Sequence, residues 1–323
     1  MSQPLFEVTD LKKYYRSGRK HMTKAVDGVS FSIYPGEVLG VVGESGCGKT
    51  TCGRTVVGLY ERDGGMVRYK GKDVHAMRGA DRAAFCREVQ TIFQDPYSSL
   101  DSKNDVMDLI AEGLDIQGLV SSKEERLERV KSLMEQVGLN LSGLHRYPHE
   151  FSGGMRQRIG IARALAVEPE FILCDEPISA LDVSIQAQII NLLMDLREQK
   201  GLTYLMISHD LSMVKHVSDR IIVMYLGKIV ESCPAKELYQ NPAHPYTQAL
   251  ISAIPIADPK VERQRERIIL SGQVPSPSDK PAGCSFAGRC KYASEKCFTC
   301  EPKLCEVAPG HQAACHLLTG RGE

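Results

Sequence analysis

The sequence predicts an α/β fold with a mainly parallel central sheet. Three observations carry that expectation. Short apolar runs alternate with longer amphipathic stretches, one run opens into the glycine-rich "GESGCGKT", and another, "FILC", ends on two carboxylates. At 323 residues, 42% hydrophobic and 25% charged, the chain has material for a large core and two domains. A formal net charge of zero removes the whole-chain basic footprint of a nucleic-acid binder. No charge-free apolar stretch reaches the roughly 18 residues a membrane span requires. The start, "MSQPLFEVTDLKKYY", lacks the apolar core of a signal peptide, so a chain kept in the cytosol is expected.

The elements follow in order. "LFEVTDL", "VDGVSFSIY" and "GMVRYKGKDV" alternate apolar and polar residues between Gly and Pro, the pattern of half-buried strands. "EVLGVVGE" reads as a short buried strand. Residues from about Asp101 to Ala166 read as helical. Within "SSKEERLERVKSLMEQVGL", Leu127, Val130, Leu133, Met134 and Val137 share one face. "FILCDEP" has the continuous apolar run of a parallel strand buried on both faces. Ile185, Ile189, Leu192, Leu193 and Leu196 form one helical stripe after it. "TYLMISHD" and "RIIVMYLGKIVE" are further strands. Beyond Pro255 the charged "DPKVERQRERIIL" and the Ser/Pro-rich "SGQVPSPSDKPAG" read as a linker. A cysteine-rich end follows.

Gly43, Glu44, Ser45, Gly46, Cys47, Gly48, Lys49, Thr50 and Thr51 form the loop and the start of the next helix, matching G-x4-G-K-S/T. Glycines let backbone N–H groups turn inward onto phosphate oxygens, and a following helix N-terminus favours the same anion. Lys49 can reach the β- and γ-phosphates, and Thr50 offers a hydroxyl to Mg²⁺. Asp175, at a strand's carboxyl end, is placed to hold Mg²⁺ through water. Glu176 beside it can accept a proton from the attacking water or orient it.

"FSGGMRQRIGIARAL", just before the "FILCDEP" strand, resembles the signature motif of ABC-type ATPases. Gln94 in "IFQDPYSSL" resembles their Q-loop glutamine, Ser179 to Asp182 their D-loop, and His209 in "ISHDL" their switch histidine. Tyr15 resembles the aromatic residue that stacks on adenine, with Tyr14 an adjacent candidate. "NPAHPYTQALISAIP" and the C-x-F-x-x-R-C tail resemble the ATPase subunits of oligopeptide and dipeptide importers, with parts shared by nickel importers. Phe151 and Met155 depart from the usual signature, while Ser152, Gly153 and Gly154 are intact. The resemblance implies a P-loop ATPase of ABC type over 1–255. It implies an antiparallel β subdomain and a helical signature subdomain at about 96–166. Residues 256–323 are then a linker and a small cysteine-rich lobe.

The same resemblance implies ATP with Mg²⁺, the ion held by Thr50, Gln94 and Asp175. Glu176, His209 and Lys49 serve turnover. ATP lies between two head-to-tail subunits, so that Ser152, Gly153, Gly154 and Asp182 meet nucleotide at a dimer face. The partners implied are a second ABC ATPase subunit, identical or related, transmembrane permease subunits, and an extracytoplasmic substrate-binding protein acting through the permease. The location implied is peripheral, at the cytoplasmic face of the membrane. The alternatives are a nickel-importer ATPase, or a soluble ABC ATPase not tied to transport.

Six of the eleven cysteines fall between Cys284 and Cys315. In a reducing compartment such clustering points to metal before disulfides. Cys297 and Cys300 make the only C-x2-C pair of the kind zinc sites favour. Cys284, Cys290, Cys297 and Cys315 sit on separate turns, and four thiolates are what a 4Fe–4S cluster requires. These positions also resemble cluster ligands of some peptide-importer ATPases. The expectation is a 4Fe–4S cluster, with Zn²⁺ the alternative, in a lobe separable from the phosphate chemistry. Cys300 and Cys305 are additional to that set.

Overall fold

The computed structural model describes residues 3–17, 21–179, 181–255, 258, 260, 267–270, 272, 275 and 281–318. Most of the expected linker lies outside the described residues, as does Ala180 of the D-loop segment. In chain order the strands are β1 (Phe6–Ser17), β2 (His21–Ile33), β3 (Val38–Val42), β4 (Gly64–Tyr69), β5 (Lys72–Asp73), β6 (Val89–Ile92), β7 (Phe171–Asp175), β8 (Thr203–Ile207), β9 (Arg220–Tyr225), β10 (Lys228–Pro234), β11 (Cys305–Ala308) and β12 (His311–Ala313). The main helices are α1 (Lys49–Val56), α2 (Gly79–Glu88), α3 (Val106–Ile116), α4 (Lys123–Gln136), α5 (Gly153–Leu165), α6 (Val183–Lys200), α7 (Leu211–Val217), α8 (Ala235–Gln240) and α9 (Pro245–Ser252).

The chain forms two compact units, each built from several segments, and none of the changes between them falls at 255. One comprises chiefly Tyr34–Glu37 and Lys72–Met206, the other Pro4–Ile33, Val38–Gly71 and Ile207–Glu323. The expected separate cysteine lobe is therefore corrected. The described tail belongs to the same unit as the phosphate loop.

In that unit β1 pairs antiparallel with both β2 and β4, as the alternating pattern at the start of the chain requires. A second sheet runs β11-β12-β10-β9-β3. β3 and β9 are parallel, and β10, β12 and β11 extend the sheet antiparallel. Every residue of β3 is buried, each Val or Leu contributing about 1.5–3 kcal/mol relative to exposure. Burial on both faces leaves no room for alternation in the sequence. The tail joins through packing: Phe286 is buried in a cluster with Tyr225, Val230, Leu238 and Tyr246. Its ring centroid lies 5.3 Å from that of Tyr225 and 5.4 Å from that of Tyr246. Phe286 is the anchor that a reading based on linker composition missed.

The other unit carries strands in the order β8-β7-β6, with β6 and β7 parallel, and the helical segment α3–α5. α4 starts where Ser122 accepts the Glu125 N–H, a side-chain cap typically worth about 1 kcal/mol. Its apolar stripe is buried at Val130, Leu133 and Met134. Helix α2 was not anticipated, because only Phe85 of its ten residues is buried and no apolar stripe marks it.

Candidate active site

The loop after β3 is shaped by contacts that exclude side chains. Gly48 (φ 103°) lies where a Cβ would stand 2.1 Å from the Ala25 carbonyl oxygen, and a Cβ on Gly43 (φ 151°) would stand 2.2 Å from that of Met224. Gly48 also caps α1 without any side chain taking the first helical N–H groups. Those groups remain directed at whatever anion enters. Lys49 is only 4% exposed. Its Nζ donates to the carbonyls of Gly43 at 2.8 Å and Glu44 at 3.1 Å. Thr50 and Thr51 are half-buried, and Ser45 and Gly46 are exposed. A triphosphate with Mg²⁺ fits this donor set, since the glycines leave room, no side chain caps the start of α1 and the cation is already at the loop. Cys47 is 2% exposed, and burial raises its thiol pKa. The loop cysteine is therefore packed as a small buried side chain.

In the same unit Tyr15 is 41% exposed and meets Tyr60 edge-on. Tyr14 is tied down: its hydroxyl donates to Asp27 and its N–H to Asp63, both at 2.6 Å. His209 is exposed just after β8, next to Asp210. The Asp210 carboxylate caps α7 by accepting from Ser212 and Met213 N–H.

In the other unit β7 is buried throughout and delivers Asp175, fully buried, followed by half-buried Glu176. Glu176 has φ 49°, a left-handed conformation that a non-glycine residue adopts at a cost of roughly 1–3 kcal/mol. Gln94 Nε2 donates to Glu176 Oε2 at 2.9 Å. The two residues, 82 apart in sequence, are thus brought together. Ser152 is exposed at the N-cap of α5 and spends its hydroxyl on no cap. A Cβ on Gly154 would meet Ile185 Cγ2 at 2.5 Å, and one on Gly153 would meet Leu181 at 3.2 Å. Phe151, one departure from the signature, is a buried core residue beneath Arg146, and Met155 is at the surface. Asp182 is exposed at the N-cap of α6.

Sequence reasoning did not find two further contacts of α5. The Arg156 guanidinium lies 3.6 Å from the Tyr97 ring centroid, and Arg163 donates to the Ser99 carbonyl at 2.7 Å. Buried Arg156 and half-buried Arg163 of the signature helix thus hold the segment that follows Gln94. The Arg-x6-Arg spacing is the only trace of this in the sequence.

A glycine-shaped loop feeding a helix, with a buried lysine at the junction, defines a phosphate-binding ATPase unit. The ABC transporter family model matches residues 26–179, and the model for the oligopeptide/dipeptide transporter C-terminal region matches 230–297. The chain is 59% identical over 268 residues to the oligopeptide transport ATP-binding protein OppF of Bacillus subtilis, covering 83% of this chain and 88% of that one. It is 50% identical over 324 residues to AppF, an oligopeptide transport ATP-binding protein of the same organism, covering 98% of each. Among solved structures it resembles the dimeric post-hydrolysis state of the ATP-binding cassette MJ0796 bound to ADP and Pi. That match has a TM-score of 0.66 and 26% identity, covering 71% of this chain and 98% of that one. The chain belongs to the ATP-binding proteins of the oligopeptide/dipeptide branch of ABC transporters.

The iron–sulfur expectation is overturned. Neither the family descriptions nor the relatives' names carry a cluster. Among the described residues, Cys284, Cys290, Cys297 and Cys315 form no group close enough to share a single metal ion. All four are free thiols, with Cys297 and Cys315 buried. Burial pushes Cys284 up to about 11 and raises Cys290 and Cys315. The residues that do gather are Glu231, Cys233 and His311. There the buried Glu231 carboxylate already accepts from Ala243 N–H at 2.7 Å and His244 N–H at 2.9 Å, and pairs with His311 Nε2 at 2.7 Å. His311 therefore fixes β12 to β10.

His244 lies beside this network. Its Nδ1 accepts the Tyr246 N–H at 3.1 Å, which requires the neutral ring. Burial pulls its pKa down from 6.5 to about 4, against the opposing pull of Glu231. The unfolded chain binds a proton near pH 6.5 that the fold refuses until about pH 4. Its contribution is therefore intact above 6.5 and lost as pH falls through that window, by roughly 3 kcal/mol in all. Denaturant midpoints at pH 7 and 4.5 measure it. His244→Asn, which keeps an acceptor but cannot titrate, should show a shallower drop than wild type.

Proposed function

We propose that this chain is the ATP-hydrolysing motor subunit of an ABC importer for oligopeptides or dipeptides. The observation that carries the reading is end-to-end similarity to oligopeptide transport ATP-binding proteins, at 50% identity over 98% of the chain. It is supported by a phosphate loop shaped to take a polyanion.

In this reading Lys49 and the loop amides take the β- and γ-phosphates, and Tyr15 stacks on adenine. Thr50, Gln94 and Asp175 are assigned to Mg²⁺, which when bound neutralises charge on the phosphate oxygens. Glu176 accepts the proton of the attacking water, its carboxylate oriented by the Gln94 amide. His209 contacts the γ-phosphate or that water. Ser152, Gly153, Gly154 and Asp182 serve a nucleotide held by a second ABC ATPase subunit. Closure and opening of that dimer drives the permease subunits, which a substrate-binding protein supplies from outside.

No helix among the described residues is long and apolar enough to cross a membrane, so the work must be passed to another chain. Attachment at the cytoplasmic face through the permease follows. The segment after Gln94 suits that contact, because Tyr97 is 66% exposed while Arg156 and Arg163 clamp it to the signature helix. Photocrosslinking from position 97 in cells should capture a polytopic membrane subunit. Capture of ribosomal proteins instead would favour an ATPase not tied to transport.

A further inference from the structure

The cysteine-rich tail holds one strongly charged side chain against the phosphate loop. Arg289 lies between Cys284 and Cys290, and its side chain is 8% exposed. Its two terminal nitrogens donate to the two oxygens of Glu44, at 2.6 Å and 3.1 Å. This is the fork-to-fork geometry in which arginine pairs most strongly with a carboxylate. Glu44 is the first residue after Gly43 in the loop. Its backbone N–H donates to Tyr246 Oη at 2.9 Å, so that amide is directed at protein rather than at ligand. The turn presenting Arg289 is itself fixed. Ala287 N–H donates to the Cys284 carbonyl, Arg289 N–H to that of Phe286, and the Phe286 ring is buried in the core.

An acid in a loop that takes a triphosphate is a liability, since like charges a few ångströms apart repel strongly in a partly buried site. We propose that Arg289 is a positioning residue for ATP binding. It cancels the Glu44 charge and fixes the entry of the phosphate loop, so that the tail sets nucleotide affinity. This rests on reading Gly43–Thr50 as the phosphate loop. It gives the C-x-F-x-x-R-C turn a role that needs no metal: Phe286 anchors it and Arg289 reaches the site.

Equilibrium titration of the full chain with Mg-ATP tests the proposal. Arg289→Ala should weaken binding about tenfold at low salt, equivalent to about 1.4 kcal/mol. The loss should shrink as salt rises, because an uncompensated surface-near charge is screened. Arg289→Lys, which keeps the charge but not the fork, should fall between wild type and Arg289→Ala. In the double variant Arg289→Ala/Glu44→Gln the repelling charge is gone, and affinity should return to within about threefold of wild type. A merely structural role would leave the double variant as weak as the single one. That outcome, or unchanged affinity in Arg289→Ala, overturns the proposal. Lys49→Ala separates the two readings. If it loses affinity while Arg289→Ala does not, only the present inference fails. If neither loses affinity, the phosphate-loop reading fails with it.

Discussion

Glu176→Gln should slow steady-state ATP hydrolysis by roughly 10²–10⁴-fold, the usual range for loss of a general base, while ATP still binds. The substitution changes little else. Glutamine keeps the length and an oxygen that can accept from Gln94 Nε2, the contact seen at 2.9 Å. The strained φ of 49° at this position is a property of the chain around it and persists in the variant. What is lost is the basic oxygen. Removing that charge should also favour the nucleotide-bound dimer, since one anion facing the γ-phosphate is gone. Phosphate release measured at saturating Mg-ATP reads the first effect, and size-exclusion chromatography with ATP reads the second. Hydrolysis within about threefold of wild type would remove Glu176 from its assigned role.

Lys49→Ala should act on binding itself. The ammonium is held by two loop carbonyls, 4% exposed, at the base of the loop. In that position it is an organised donor rather than a mobile surface charge. Losing a charge-assisted hydrogen bond costs about 1.5–3 kcal/mol, roughly 10- to 100-fold in affinity. The same truncation leaves the Gly43 and Glu44 carbonyls without that donor, so a modest drop in the thermal midpoint should accompany it. Isothermal titration of the variant with Mg-ATP measures the loss. An unchanged dissociation constant would count against the loop as the phosphate site.

The glycine-rich loop and the strands that flank the candidate site were legible because local rules determine them. Gly43 and Gly48 occupy positions where a Cβ would strike a backbone oxygen, so the loop advertises itself as glycine. β3 and β7 are buried on both faces and therefore read as continuous apolar runs, one leading into the glycine loop and the other into two carboxylates. The α4 stripe and its Ser122 cap were likewise local. The illegible parts are long-range pairs. Arg289 and Glu44 are 245 residues apart, and His311 and Glu231 are 80 apart. No spacing rule connects such residues. The tail was misread for a related reason. Its glycines, prolines and cysteines suggested a small lobe needing a metal staple, whereas Phe286 and His311 attach it to a core already present. Helix α2 escaped because it buries almost nothing and so carries no periodic signal.

Uptake of a radiolabelled oligopeptide tests the central claim most directly. The assay uses cells lacking this gene, complemented with wild type or with Glu176→Gln. Wild type should restore uptake, and the variant should leave it near the level of the deletion. Peptide uptake unaffected by the deletion, with nickel uptake lost instead, would contradict the assignment to peptide import.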